Sequence, residues 1–299
     1  MRLLRHRGRT LRTVALCTIT EWFEHRDSSK GAALAFYTAF SIAPILVLVI
    51  AVAGLFYGQQ AAQGELFGQL RALIGPQGAE ALQAILAGAR NHDDGVLATL
   101  IAGVLLLFGA TTVFAELKAS LDEIWQLPAL KQGTLWDTVR TRLLSFGMVL
   151  VLGFLLLVSL VVSAALTLLE KLWQGHWSNT TMLLTGINWV ISFLVIAAMF
   201  GVIYKMLPRI KLSWRDVVIG ALGTAALFTL GKYAIGAYIG NSGVADSFGA
   251  AGSLIALLLW VYYSAQIFFL GAEFARQYAL QLGSLKHHPR DERGDLKMG

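Results

Sequence analysis

Six stretches of this chain stay apolar for about twenty residues or longer: roughly 32–57, 95–116, 143–169, 182–204, 217–238 and 248–275. A helix rises about 1.5 Å per residue, so each is long enough to cross the roughly 30 Å hydrocarbon core of a bilayer. None carries a charge at its centre, and Lys232 is the nearest approach to one. The runs are continuous and do not alternate, so they read as helices and not as strands of a lipid-facing barrel. Composition agrees. Charged residues make up 14% of the chain, against about 25% in a soluble domain. Mean hydropathy is +0.63, and so little polar side chain cannot cover a water-soluble surface. The expected fold is all-α, a polytopic membrane protein built as a six-transmembrane helix bundle with an N-terminal amphipathic helix. One transmembrane domain is expected over 1–285, followed by a disordered cytoplasmic tail over 286–299.

Lysine and arginine set the orientation, because cytoplasmic loops retain them. The first 31 residues hold seven, 117–142 holds four, 205–216 holds four and the chain from 276 holds five. In a six-span arrangement these four stretches share one side and sum to 20, while Arg71, Arg90 and Lys171 make three on the other. Both termini are therefore expected in the cytoplasm. The same bias accounts for nearly all of the net charge of +6, so no nucleic-acid partner is needed to explain it.

Outside the spans, residues 11–27 place Leu11, Val14, Ala15, Thr18 and Trp22 on one helical stripe, which suits a helix on the membrane surface or packed beneath the bundle. The 58–94 connection reads as two short amphipathic helices broken at Gly75-Pro76, forming an outer cap. Basic residues open the chain, but no short apolar core with a small-residue cleavage site follows, so no cleaved signal peptide is expected. A single cysteine, Cys17, excludes an intrachain disulfide framework. The six histidines are scattered and no H-E-x-x-H or phosphate loop occurs. No metal, cofactor or catalytic residue is expected, and the chain reads as a non-enzyme.

The informative positions are polar residues inside greasy runs. On the last span Gly252, Ala256, Leu259, Tyr263, Gln266 and Glu273 fall on one stripe. Gln266 and Glu273 are costly against lipid, so this stripe should turn inward. Glu273 has a plainer reading too, as a carboxylate that snorkels or pairs with a nearby base. On the first span Tyr37, Ser41 and Pro44 share a face, and Pro44 should kink the helix there. The fifth span carries small residues, with Gly220, Thr224, Leu227, Gly231 and Tyr238 on one stripe, and it holds Lys232. These six, Tyr37, Ser41, Pro44, Lys232, Gln266 and Glu273, are the candidate pathway or interior polar residues.

Four stretches together resemble a known family. They are ALAFYTAFSIAPILVL at 33–48, FGATTVFAELKASLDEIW at 108–125, YKMLPRIKLSWRDVVIGALGTAALFTLGKYAIGAYI at 204–239 and FGAAGSLIALLLWVYYSAQIFFLGAEF at 248–274. In that order they resemble the YihY/BrkB family of bacterial inner-membrane proteins over essentially residues 20–280. The resemblance implies a multi-pass inner-membrane protein and supplies no established biochemical activity. The family has carried the label ribonuclease, a misassignment, and the label virulence factor, a phenotype linked to serum resistance. A Tyr-Gly pair usual before the last span stands here as Phe248-Gly249, without the hydroxyl.

Two functions follow from these readings. One is transport or export of a small or amphipathic solute along a route lined by the interior polar residues. The alternative is a non-enzymatic structural or envelope-integrity role through lipids or protein partners. Expected partners are membrane lipids, such a solute and further copies of the chain.

Overall fold

The computed structural model describes residues 2–90, 112–113, 115–127, 180–208, 210, 212–241, 243, 248 and 252–286. The described chain is all-α. Its long helices are α1 (Arg2–Glu24), α2 (Asp27–Tyr57), α3 (Gln59–Arg90), α4 (Thr180–Met206), α5 (Trp214–Asn241) and α6 (Gly252–Gln281). A shorter helical stretch runs over 115–124. Among the described residues three helical segments are long and apolar enough to cross a membrane: Trp189–Met206, Trp214–Asn241 and Leu254–Gln281. The first expected span lies within α2. The third lies wholly outside the described residues and the second almost wholly, as do the 287–299 tail and Gly249.

The last helix is the centre of the bundle. It packs against α1, α2, α3 and α5. One end of α6 gives Ala256, Leu257 and Trp260 to a core shared with Leu46 and Ile50 of α2, Leu82 and Leu86 of α3, and Ile235 and Ile239 of α5. Its other half gives Phe268, Phe269 and Ala272 to a core with Tyr204, Val217 and the Leu121–Trp125 stretch. Small residues on α5 permit this closeness. A Cβ at Gly220 would collide with Ala275, and one at Gly231 would sit 2.5 Å from Ile267 and 2.8 Å from Tyr263. Away from α6 the bundle leaves Trp189, Val190, Leu194, Leu222 and Leu230 exposed, the composition lipid requires.

Three expectations about local structure need correcting. Residues 59–90 form one helix, not two broken at Gly75-Pro76. Pro76 is exposed, so its ring sits on the outer face. Burial of Ala79, Ala81, Leu82 and Leu86 holds the following turns in line despite the lost hydrogen bond. The stripe on α5 is only partly buried: Gly220, Thr224 and Gly231 are buried, but Leu227 and Tyr238 on the same face are 42% and 55% exposed. On α1, Val14 and Thr18 are buried and Trp22 is half-buried, yet Ala15 is exposed, and so are Leu16, Ile19 and Phe23. Apolar side chains thus emerge on two sides of α1, since packing against α6 takes up only one of them. Helix α2 itself runs through position 44. Ser41 donates to the Tyr37 carbonyl at 2.5 Å, one turn back, and not to the carbonyl at 40 that a proline at 44 displaces.

Candidate functional site

Helices α1 and α2 meet in an elbow of two residues, His25 and Arg26. His25 N–H donates to the Glu21 carbonyl at 2.8 Å, and Arg26 N–H to the Phe23 carbonyl at 3.1 Å. Arg26 then turns the chain with φ 54° and ψ 39°, a left-handed conformation that costs a non-glycine residue about 1 kcal/mol. Asp27 opens α2 from its first turn, where the helix dipole favours a carboxylate. The elbow lies against α6 and brings polar side chains up to it.

There the ionisable groups collect. His25 Nδ1 lies 2.5 Å from Oε1 of Glu273, a fully buried carboxylate of α6. Arg276, one turn on and itself buried, donates through Nη1 to Oε2 of Glu21 on α1. The same Nη1 stands 4.0 Å from Glu273 Oε2. Lys30 pairs with the buried Asp27 at 3.1 Å and with Glu123 at 3.3 Å, joining α2 to the 115–124 stretch. Gln266 donates to the Ser28 carbonyl at 3.4 Å. It lies over Gly31, where a Cβ would strike its amide, so glycine at 31 is what admits the side chain.

Neighbours set the protonation preferences at the elbow. The hydrogen bond to Glu273 pushes the His25 pKa above the ordinary 6.5, against the opposing effect of burial. Burial pushes the Asp27 carboxyl up, against the Lys30 ammonium. The cluster is also short of hydrogen bonds. Asp27 Oδ2, Glu273 Oε2, Gln266 Oε1 and Arg276 Nε are buried without a partner. Glu21, His25 and Glu273 bring one donor atom each within 4.8 Å of one another. That spacing alone resembles a cation site, but the Arg276 guanidinium already supplies the cation between the two carboxylates. The arrangement is suited to hold charge and to exchange a proton.

Of the six residues singled out from sequence, the structure brings Gln266 and Glu273 into this cluster. Ser41 is buried further along α2 and Tyr37 is half-buried. Position 44 lies within α2. Lys232 stands apart, half-buried with Nζ 5.3 Å from the Tyr233 ring. Its neighbour Gly231 meets α6 at Tyr263 and Ile267, so Lys232 sits roughly 9–15 Å of helix rise from the level of Glu273. Glu21, His25, Asp27, Lys30 and Arg276 were missed. Lys30 and Arg276 enter a charge tally as cytoplasmic markers, and nothing in the spacing says that they are buried in ion pairs. The one local signal is the density of ionisable residues in EWFEHRDSSK at 21–30, directly before an apolar run.

Comparison with known proteins bears on this arrangement. The family model described as virulence factor BrkB matches residues 18–295. Curated relatives are described as UPF0761 membrane proteins. One from Tolumonas auensis is 28% identical over 177 residues, covering 59% of this chain and 56% of its own. One from Alcanivorax borkumensis is 25% identical over 278 residues, covering 90% of this chain and 61% of its own. One from Stenotrophomonas maltophilia is 27% identical over 264 residues, covering 86% of this chain and 59% of its own. The chain spans between 46% and 63% of the length of such relatives. No solved structure matches it.

Proposed function

The chain belongs to the BrkB family of membrane proteins, and from that premise we propose that it transports or exports a small or amphipathic solute across the bacterial inner membrane. The observation that carries this reading is the buried ionic cluster on the central helix. A charge inside a membrane bundle costs several kcal/mol unless paired, and such groups mark substrate or ion routes. In this reading the chain is not an enzyme. It crosses the membrane six times with both termini in the cytoplasm, which puts the elbow at the cytoplasmic end of α6. There α1 lies along the headgroup boundary, with the exposed Leu16, Ile19 and Phe23 toward lipid. The tight α5–α6 contact through Gly220 and Gly231 favours the structural alternative.

The test is flux. The purified full-length chain is reconstituted in vesicles loaded with a bacterial metabolite and lipid extract, and mass spectrometry follows what crosses. Transport predicts a small set of solutes moving faster than in protein-free vesicles. It also predicts that Glu273→Ala, checked for monodisperse elution, brings their movement back toward the protein-free rate. Identical profiles with and without wild-type protein would leave the structural alternative.

A further inference from the structure

The charges in the elbow cluster do not balance without one more proton. Glu21, Asp27 and Glu273 are three carboxylates facing two fixed cations, Lys30 and Arg276. The other acid in contact, Glu123, is 61% exposed and is left to solvent. Further along α6, Asp216 of α5 is taken by Ser284, whose N–H and hydroxyl reach it at 3.0 and 2.5 Å. His25, in direct contact with the buried Glu273, can supply the missing positive charge. A neutral imidazole can donate Nδ1–H to Glu273 but leaves the buried set one charge negative. A second proton, on Nε2, makes it neutral. An unbalanced charge in a low-dielectric interior is expensive, so the set is most stable with that proton bound.

We propose that His25 and Glu273 form a proton-binding site that couples solute movement to the proton gradient, an inference resting on the transport reading above. The geometry suits the role. The His25 side chain is 15% exposed, enough to exchange with water, while its carboxylate partner is 0% exposed. The pair ties the α1–α2 elbow to α6, and α6 touches α2, α3 and α5 as well, so a change at this tie reaches most of the bundle. Arg26 at the elbow is held in a left-handed conformation that a non-glycine residue rarely adopts, so the turn is fixed by the contacts around it. The chemistry is one proton taken up at imidazole Nε2 from one side and released from it to the other. No bond other than N–H forms or breaks. The sign follows from the raised His25 pKa. The charge-pair part of the tie is at full strength below the ordinary 6.5 and is lost as pH rises through the higher folded-state value, leaving the weaker neutral hydrogen bond.

Three measurements on the full chain in nanodiscs or vesicles of phosphatidylethanolamine and phosphatidylglycerol test this. Histidine ¹⁵N resonances are titrated from about pH 5 to pH 9, the range over which imidazole changes charge. One resonance, absent in His25→Gln, should titrate above the ordinary value and return toward it in Glu273→Gln. Spin labels at the native Cys17 and at Leu282→Cys should report an α1-to-α6 distance that lengthens above that pKa in wild type and ignores pH in His25→Gln. Solute flux in the vesicle assay should lose its dependence on the pH gradient when an uncoupler is added or His25→Gln is used. A His25 that titrates at its ordinary value in wild type overturns the proposal. So does competition for the site by Zn²⁺ or Mn²⁺ alone with loss of that binding in His25→Gln, which would make the cation a metal. Flux that persists without a pH gradient overturns the proposal and leaves the transport reading standing. No flux of any solute, with His25 still titrating high, removes both.

Discussion

Arg276 is the side chain on which the buried cluster leans hardest. It donates to Glu21 and neutralises Glu273, and its own side chain is 5% exposed. Removing it leaves two carboxylates facing each other with no guanidinium between them. Breaking a buried pair from one side costs about 3–5 kcal/mol, because the remaining charge is stranded. Arg276→Ala should therefore lower unfolding stability by about 3 kcal/mol, read from denaturant unfolding in lipid–detergent micelles. Adding Glu273→Gln should return part of that loss, since the second change removes the stranded charge, with a coupling of about 1 kcal/mol or more. Strictly additive losses would mean that the two side chains do not share a field. What sequence could give at this scale was half of each pair. Gln266 and Glu273 stood out because a polar group in an apolar run is costly wherever it points. Their partners did not, since His25 lies 248 residues away in sequence and a lone histidine in a polar segment has no signature of burial.

Between elements, the decisive contact is α5 on α6. The two helices come close enough that at Gly220 a Cβ would stand 3.2 Å from the Ala275 Cα, where backbone cannot give way. At Gly271 a Cβ would strike Thr224 Oγ1 and the Tyr204 hydroxyl. That hydroxyl donates to the Phe268 carbonyl at 2.7 Å and bonds Thr224 at 3.1 Å. Gly220→Ala should lower stability by about 1–3 kcal/mol, the usual cost of overpacking. Gly68→Ala is the control. It lies within α3 with nothing within 4 Å of the added atom, and it should stabilise by about 0.5–1 kcal/mol through helix propensity. Thermal unfolding of both variants beside wild type checks the pair, and a Gly220→Ala as stable as wild type would mean that the helices can separate freely. Small residues announced this interface in the sequence, but it does not take in the whole stripe, since the large side chains Leu227 and Tyr238 on the same face stay exposed. The continuity of α3 through Pro76 was illegible for a related reason. Local propensity argues for a break there, and the burial of Leu82 and Leu86, which decides the matter, is tertiary.

At the scale of the molecule, the class was legible because it rests on quantities summed over the whole chain, hydropathy and the count of charges. Connectivity across the membrane is a separate question, since three apolar helices among the described residues are compatible with more than one path. The charge bias chooses between paths. Twenty lysines and arginines on one side against three on the other predicts that the α2–α3 turn, at Gly58, faces away from the cytoplasm, and that α3 does too. The elbow and its proton site would then open inward. Glu80 on α3 tests this, because its side chain is 63% exposed and its partner Arg71 is equally solvated at 3.6 Å, so replacing it costs little. Cys17 on α1 serves as the internal standard, being the only thiol in the chain. In right-side-out vesicles carrying Glu80→Cys, a membrane-impermeant maleimide should label position 80 at once. Position 17 should label only after the membrane is opened, and a Glu80→Cys/Cys17→Ser chain separates the two signals. Labelling of position 80 only after opening would reverse the orientation, place the elbow on the outer face and require the proton site to load from that side.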